Sequence, residues 1–465
     1  MADTAVRAGS PELARDLRVS HAAAIVVGTI IGSGIFLVPT EMMQAVGSSG
    51  LVYLAWIVGG LLSFFGAITY AELGAMKPYA GGEYVYVRDG YGPLGGFLYG
   101  WTYFLIAKPG SIATIVAGFV RIIGEFGPFS FLPKPIVTSP LVITWGNLVA
   151  IGAIAAITFI NYIGVKRAGE FQLFFTILKV AMIASIIIGG ITYARGTWGN
   201  FQTVYSGAVG GFAGFMTALI AALWAYDGWN LVTTVSAEIR NPQKSLPIAL
   251  ISGVAIVAVL YIGVNAAVQY VMPASSIAGS PRPASEAMRL AWGVFGAGLV
   301  SAGMALSMLV TLNGSTLTGA RIPFALSRDG YFIDALAKVH PRFHTPSTAL
   351  LVQGILSSLL VLFIGTFQQL FSLTLFSEWL FYMLAAASVF IFRAREPNAE
   401  RTYRAWGYPV VPALFIFAAG IVLYYSFMAN WKNSLAGAAV IAVGVPVFYF
   451  FRTRHRTAAP VHDKL

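Results

Sequence analysis

The 465-residue chain contains no cysteine. That removes disulfides, thiolate metal sites and cysteine nucleophiles together. Charge is also scarce: 10% of residues are Asp, Glu, Lys or Arg, against roughly 25% in an average soluble domain. The five histidines are His21, His340, His344, His455 and His462. None lies deep inside an apolar run, so no imidazole metal site and no buried histidine relay is expected. What is abundant is apolar. Hydrophobic residues make up 57% of the chain, and mean hydropathy is +0.76. A soluble fold could not cover that much apolar surface with so few charges, and a disordered chain would be polar. The composition excludes a soluble enzyme and points to an all-α integral membrane protein.

Twelve apolar stretches are long enough to span a bilayer, at about 20–46, 50–76, 92–124, 141–164, 170–193, 210–237, 247–271, 292–325, 346–365, 368–393, 408–428 and 433–452. With both termini inside, the inner loops hold Lys77, Arg88, Lys166, Arg167, Arg240, Lys244 and most other cations. The outer segments hold Arg121, Lys134, Arg195, Arg282, Arg289 and Lys432. This is the positive-inside pattern. The net charge of +11 is therefore a topology signal, and no nucleic-acid partner is expected. Ala22-Ala23-Ala24 precede the first apolar run instead of following it, so a cleavable signal peptide is not expected. The division expected is a cytoplasmic tail at 1–19, a first unit at 20–193, a second at 210–393, two further spans at 408–452 and a cytoplasmic tail at 453–465.

Two spans carry interruptions. The first reads Val27-Gly28-Thr29-Ile30-Ile31-Gly32-Ser33-Gly34-Ile35-Phe36, and this small-residue cluster weakens a helix at mid-membrane depth. Broken backbone is tolerated there only where it lines a cavity or binds something. The half-helix that follows offers unpaired N–H groups and a positive dipole end, a receptor for a carboxylate. The Gly28 to Gly32 spacing would also serve close helix packing. A dinucleotide loop is excluded, because Leu37 stands where the third glycine belongs and no strand precedes it. The sixth span repeats the feature as Leu223-Trp224-Ala225-Tyr226-Asp227-Gly228-Trp229-Asn230. Spans 1–5 and 6–10 thus read as two copies of one unit in opposite orientation, and paired interrupted spans mark the binding site of such transporters. N–H groups from one break and C=O groups from the other suit a zwitterion such as an amino acid.

Two lysines fall inside spans. Lys179, flanked by the uncharged runs 171–178 and 180–194, is too deep to snorkel and must face the protein interior. It reads either as a fixed cation or proton carrier, or as a structural partner of backbone carbonyls. Lys108 precedes Pro109, which frees a carbonyl, so Lys108 belongs either to a kink or to a substrate path. Glu72 reads as an inner-face ion pair, and Glu378 lies within span 10 with its role open.

These segments resemble the amino acid–polyamine–organocation (APC) superfamily, and within it bacterial members of the L-type amino acid transporter (LAT) family. The resemblance runs from about 17 to 452. It rests on the two interrupted motifs; on Ala80-Gly81-Gly82-Glu83-Tyr84 with Gly100-Trp101; on Glu238-Ile239-Arg240-Asn241-Pro242 with Lys244 and Pro247; and on Ser327-Arg328-Asp329-Gly330 through Val339-His340-Pro341-Arg342-Phe343. It implies twelve transmembrane helices in a LeuT-like five-plus-five inverted repeat with discontinuous helices 1 and 6, and alternating access around a site between spans 1, 3, 6, 8 and 10. It implies that N–H groups around Ser33 and Gly34 hold the substrate carboxylate, and that carbonyls at Ile30, Trp224 and Asp227, beside Ala225, hold its amine. The Trp224 ring takes the place of an aromatic gate. Lys179 takes the place of a sodium ion, so transport is expected to be sodium-independent. Segments near 80–88 and 331–340 are expected to form amphipathic helices along the membrane face. No cofactor or metal is implied. Animal members attach to a heavy chain through a cysteine, which this chain lacks. Many members carry Phe at the Trp224 position and animal ones Gly at the Asp227 position; a carboxylate facing the site would favour cationic substrates.

The expected function is sodium-independent exchange of small neutral L-amino acids across the cell membrane. The alternative is a proton-coupled amino acid or polyamine symporter of the same fold, with Lys179 or Asp227 carrying the proton. A membrane enzyme or a non-transporting sensor lacks support, since no Ser-His-Asp arrangement and no signalling domain is visible.

Overall fold

The computed structural model describes residues 12–139, 142–363, 367–429 and 431–458; the outer parts of the two expected tails, 1–11 and 459–465, lie outside them. Helices account for most of the described chain. In order they are α1 (Val19–Ile30), α2 (Gly34–Val46), α3 (Ser49–Met76), α4 (Glu83–Tyr91), α5 (Pro93–Thr102), α6 (Lys108–Ile123), α7 (Trp145–Tyr162), α8 (Val165–Ile191), α9 (Gly211–Ala225), α10 (Pro242–Val271), α11 (Ala274–Gly279), α12 (Pro283–Gly319), α13 (Arg321–Arg328), α14 (Ser347–Phe363), α15 (Phe367–Arg395), α16 (Val410–Ala429) and α17 (Trp431–Ala458). A short antiparallel ribbon of β1 (Pro135–Val137) and β2 (Ile143–Thr144) lies between α6 and α7.

Among the described residues, ten helical stretches are long and apolar enough to cross a membrane, with α1 and α2 counted together. Every expected span coincides with a helix or a broken helix. The two that fall short of that length are α14, with 17 residues, and α9, with 15 residues before its break. Large apolar side chains stay exposed on the outside of the bundle: Phe212, Val259, Val294, Phe295 and Phe417 are at least 69% accessible. On a soluble protein such a surface would aggregate, whereas on a membrane protein it meets lipid tails.

Local chemistry sets the helix ends. Ser48 accepts the Leu51 N–H at the start of α3. Thr144 and Asn147 form a reciprocal capping box on α7. Pro242 opens α10, where its missing N–H would have had no partner anyway. In α12, Trp292 and Gly293 leave helical geometry, so the spanning part starts where the sequence places it. Just before α6 the chain widens into a π turn over Tyr103–Ala107; Pro109 cannot donate to the preceding turn, and such widened turns recur at functional sites.

The two expected surface helices differ. Residues 83–91 are helical as α4, beginning after Gly81 and Gly82, whose positive φ angles stop an earlier start. Residues 331–340 instead form one 3-10 turn, Asp334–Ala337. Gly330 turns the chain at φ 78° on one side, and Pro341 holds His340 extended on the other, leaving too few residues for a helix.

Without a hydrophobic force between helices in lipid, close contact and polar links hold the bundle. A Cβ on Gly28 would lie 2.4 Å from Gln172 Nε2, so this glycine lets α1 approach α8. Ion pairs cluster at the end of the bundle that carries α4 and α13. Glu72 accepts two bonds from Arg393 at 2.9 and 2.7 Å and one from the Ala405 N–H, the ion pair expected of it. Lys77 reaches Asp89 and Glu396. Asp329 accepts from Tyr84 and Arg88. Glu238 and Arg321 form a fully buried bidentate pair at 2.7 and 2.8 Å. Leu17, ahead of α1, pairs with Ile239 as a parallel bridge and locks the chain's start to the segment after the second break.

Candidate functional site

Both expected interruptions exist. Helix α1 stops at Ile30 and α2 starts at Gly34. Helix α9 stops at Ala225, and after a turn the chain resumes as a 3-10 helix over Trp229–Glu238. Gly228 sits at φ 102°, where a side chain would be strained. A Cβ on Gly34 would lie 3.1 Å from Ala225 Cβ, so the two breaks touch. Hydroxyls tie them together. Thr29 Oγ1 donates to the Gly228 carbonyl at 2.9 Å, among other acceptors. Tyr261, on α10, places its hydroxyl 3.1 Å from the Ile30 carbonyl and 2.8 Å from that of Ala225.

A cavity of about 130 Å³ opens where the breaks meet. That is well below the ~300–1,000 Å³ of drug-sized sites. From the first break it is lined by Thr29, Ile30, Gly32, Ser33 and Gly34; from the second by Trp224, Ala225, Asp227 and Gly228. All six residues expected to touch substrate therefore share one wall. Helix α6 adds Ser111, Thr114 and Ile115, α12 adds Met308, Thr311 and Ser315, and α15 adds Glu378. The N–H groups at the start of α2 and the carbonyls at the ends of α1 and α9 have no intrahelical partners, which equips the cavity for both ends of a zwitterion. Two expected acceptors are already engaged: the Trp224 carbonyl receives the Asp227 N–H at 3.1 Å, and the Ile30 carbonyl lies 3.1 Å from the Tyr261 hydroxyl. A larger cavity of about 430 Å³, beside Arg121, Leu132 and Asn147, holds none of the expected residues.

Lys179 reaches the first break from α8. Its ammonium donates to the carbonyls of Gly28 at 2.9 Å and Ile31 at 2.6 Å, and it is 1% exposed. Ser307 donates to Ile31 at 2.7 Å, and Thr311 lies 3.1 Å from the Gly28 carbonyl. A cation thus sits among carbonyls that the break itself released. Lys108 is 3% exposed and lies behind the wall. Its contacts are the Ser315 hydroxyl at 3.5 Å and the Tyr103 ring face at 5.4 Å. Beyond the cavity Glu83, at the start of α4, accepts from Tyr99 at 2.6 Å and Asn230 at 2.7 Å. Burial holds its carboxyl above the usual carboxylate range, and those two bonds offset that only in part.

Which faces of α6, α9, α12 and α15 meet the cavity does not follow from the sequence. One signal was present: Ser307, Thr311 and Ser315 repeat every four residues, so they share one side of α12.

The amino acid permease family matches residues 17–451. The chain is 32% identical to the serine/threonine exchanger SteT of Bacillus subtilis (strain 168) over 448 residues, 95% of this chain and 98% of that protein. It is 31% identical to the human cystine/glutamate transporter over 442 residues, 95% and 86% of the two chains. To the b(0,+)-type amino acid transporter 1 of Oryctolagus cuniculus it is 32% identical over 394 residues, 84% and 78% of the two. The chain belongs to the amino acid permease family of the APC superfamily. It is a multi-pass membrane transporter of amino acids and not an enzyme.

Proposed function

For this member of the amino acid permease family, we propose sodium-independent exchange of small neutral L-amino acids by alternating access, in a LeuT-like five-plus-five arrangement followed by two further helices. The observation that carries the reading is the small cavity between two touching helix breaks. Its N–H groups at Ser33 and Gly34 receive the substrate carboxylate. Its carbonyls at Ile30 and Ala225 receive the ammonium, with the Trp224 ring closing over it and Asp227 beside it. Lys179 supplies the fixed positive charge that a sodium ion would otherwise bring to the Gly28 and Ile31 carbonyls. The cavity's size favours alanine, serine and threonine, and the exchanger SteT carries serine and threonine in its name. The protein sits in the cell membrane with both termini cytoplasmic, which puts the cluster of ion pairs around Glu72 and Asp329 inside.

Purified protein in sealed, sodium-free liposomes provides the test. Labelled L-alanine enters vesicles loaded with L-serine at least about tenfold faster than empty ones. Equal entry into both would rule out exchange.

A second reading is proton-coupled symport of an amino acid or polyamine. Two carboxylates in the cavity wall, Asp227 and Glu378, favour it. Accumulation of alanine in vesicles without internal amino acid, driven by an inward proton gradient, selects that reading over exchange.

A further inference from the structure

Glu83 opens α4 and is wholly buried. The backbone ahead of it fixes its place. The Gly81 N–H donates to the Thr234 carbonyl at 2.8 Å, and a Cβ on Gly82 would lie 2.6 Å from the carbonyl carbon of Thr233. The start of α4 is thereby pressed onto the 3-10 helix that follows the second break. The carboxylate itself joins two segments. Its Oε2 accepts from the Tyr99 hydroxyl of α5 at 2.6 Å, and its Oε1 accepts from Asn230 Nδ2, in that 3-10 helix, at 2.7 Å.

Neither donor is charged, and a carboxylate buried on neutral donors is costly. Other titratable groups face it: Tyr70 of α3, Tyr86 of α4, Tyr103 of the widened turn, Tyr382 of α15, the carboxylates Asp227 and Glu378, and the ammonium of Lys108. That lysine is shared with Asp227 and Glu378. The charges farther along α4 are already paired, Arg88 with Asp329 and Asp89 with Lys77. A neutral acid at Glu83 needs an acceptor for its own proton, and one is in place: the buried Asn230 Oδ1 has no hydrogen-bond partner. A half-turn of that amide exchanges Nδ2 for Oδ1 and reverses the direction of the bond. Both protonation states are thus satisfied at the same place, and the bonds made by the neutral acid are the weaker ones.

We infer that Glu83 is a proton-binding site of the transport cycle: ionised, it clamps Tyr99 to Asn230 and holds the segment after the second break; protonated on Oε1, it loosens that clamp and lets the segment shift. This rests on the alternating-access reading, in which the broken helices move. Glu83 does not touch the substrate, so the proton acts on the rate of reorientation and not on binding.

Alanine–serine exchange is measured in sodium-free proteoliposomes with equal pH on both sides, from about pH 5 to about pH 8, a range that a raised carboxyl crosses. In wild type the maximal rate rises about three- to tenfold on acidification, the value of one weakened hydrogen bond, while KM stays within about twofold. Glu83→Gln keeps both links, since its Oε1 accepts from Tyr99 and its Nε2 donates to Asn230 Oδ1. It has no proton to exchange, so its rate is flat and lies near the wild-type acid value throughout. A wild-type rate independent of pH, a wild-type pH profile kept in Glu83→Gln, or an effect on KM alone overturns the assignment. A merely structural glutamate would give a slower variant with the profile unchanged. If Glu83→Gln cannot be reconstituted, Tyr99→Phe replaces it. That variant removes a donor to the ionised form, so the midpoint of the profile moves up by about one pH unit; an unmoved midpoint overturns the role. Wild type that accumulates alanine on a proton gradient and does not exchange it overturns the exchange reading alone. The assignment is then decided on that uptake, where Glu83→Gln with the wild-type proton dependence overturns it.

Discussion

Lys179 and Lys108 are both lysines inside apolar helices, both almost wholly buried, and both expected to be expensive unless paired. Their surroundings differ. Lys179 donates two short bonds to carbonyls at the end of a broken helix, and hydroxyls of α12 reach the same carbonyls. Lys108 has one long contact to Ser315 and an aromatic face, just behind a cavity wall that includes two carboxylates. The lesson is that a buried charge is to be judged by what it completes. Lys179 completes the backbone of the first break and so belongs to its architecture. Lys108 completes no broken backbone: its contacts are one hydroxyl and one ring face.

The contrast predicts unequal losses. Lys179→Ala leaves the Gly28 and Ile31 carbonyls without their charge-assisted donor, at about 1.5–3 kcal/mol per bond. The exchange rate per reconstituted molecule falls at least about 100-fold; a rate within twofold of wild type would break the comparison. Gly28→Ala comes next. It drives a methyl into Gln172 and Thr176, at 2.4 and 2.5 Å, and lowers stability by about 1–3 kcal/mol in a detergent melt. A variant as stable as the parent would show that α1 can move off α8. Lys108→Met is milder: KM changes a few-fold, about 1 kcal/mol or less, as befits one long contact. A loss equal to that of Lys179→Ala would put the two lysines in one class. Gly32→Ala has the smallest effect on stability, under about 0.5 kcal/mol, because nothing lies within 4 Å of the added carbon. Its methyl enters the cavity, so a change in affinity without a change in melting temperature is the expected result.

The Gly28 and Gly32 pair also shows where the sequence reading divides. The two stand four apart and look alike as a packing motif, yet only Gly28 packs, while Gly32 faces the cavity. The distinction depends on where α8 and α12 lie, and no property of residues 28–32 encodes that. Glu378 is the same case: in sequence it is a carboxylate inside an apolar run, and the fold alone brings it into the cavity wall.

What the sequence determined was everything that follows from composition and local backbone preference. Few charges and long apolar runs set the membrane class and the span positions. Small-residue clusters at 28–34 and the Asp-Gly pair at 227–228 set the two breaks. Lysine in an apolar run required an interior partner. What the tertiary structure decided was which face of each intact helix meets the cavity, and which side chains satisfy the released carbonyls. Tyr261 could not be singled out in advance, and Ser307 and Thr311 only as sharing one side of α12 with Ser315, for a physical reason. In a bilayer the lipid-facing and the protein-facing sides of a helix are both apolar, so the stripe that orients a soluble helix is missing. Only the packing of one helix against its neighbours assigns the faces.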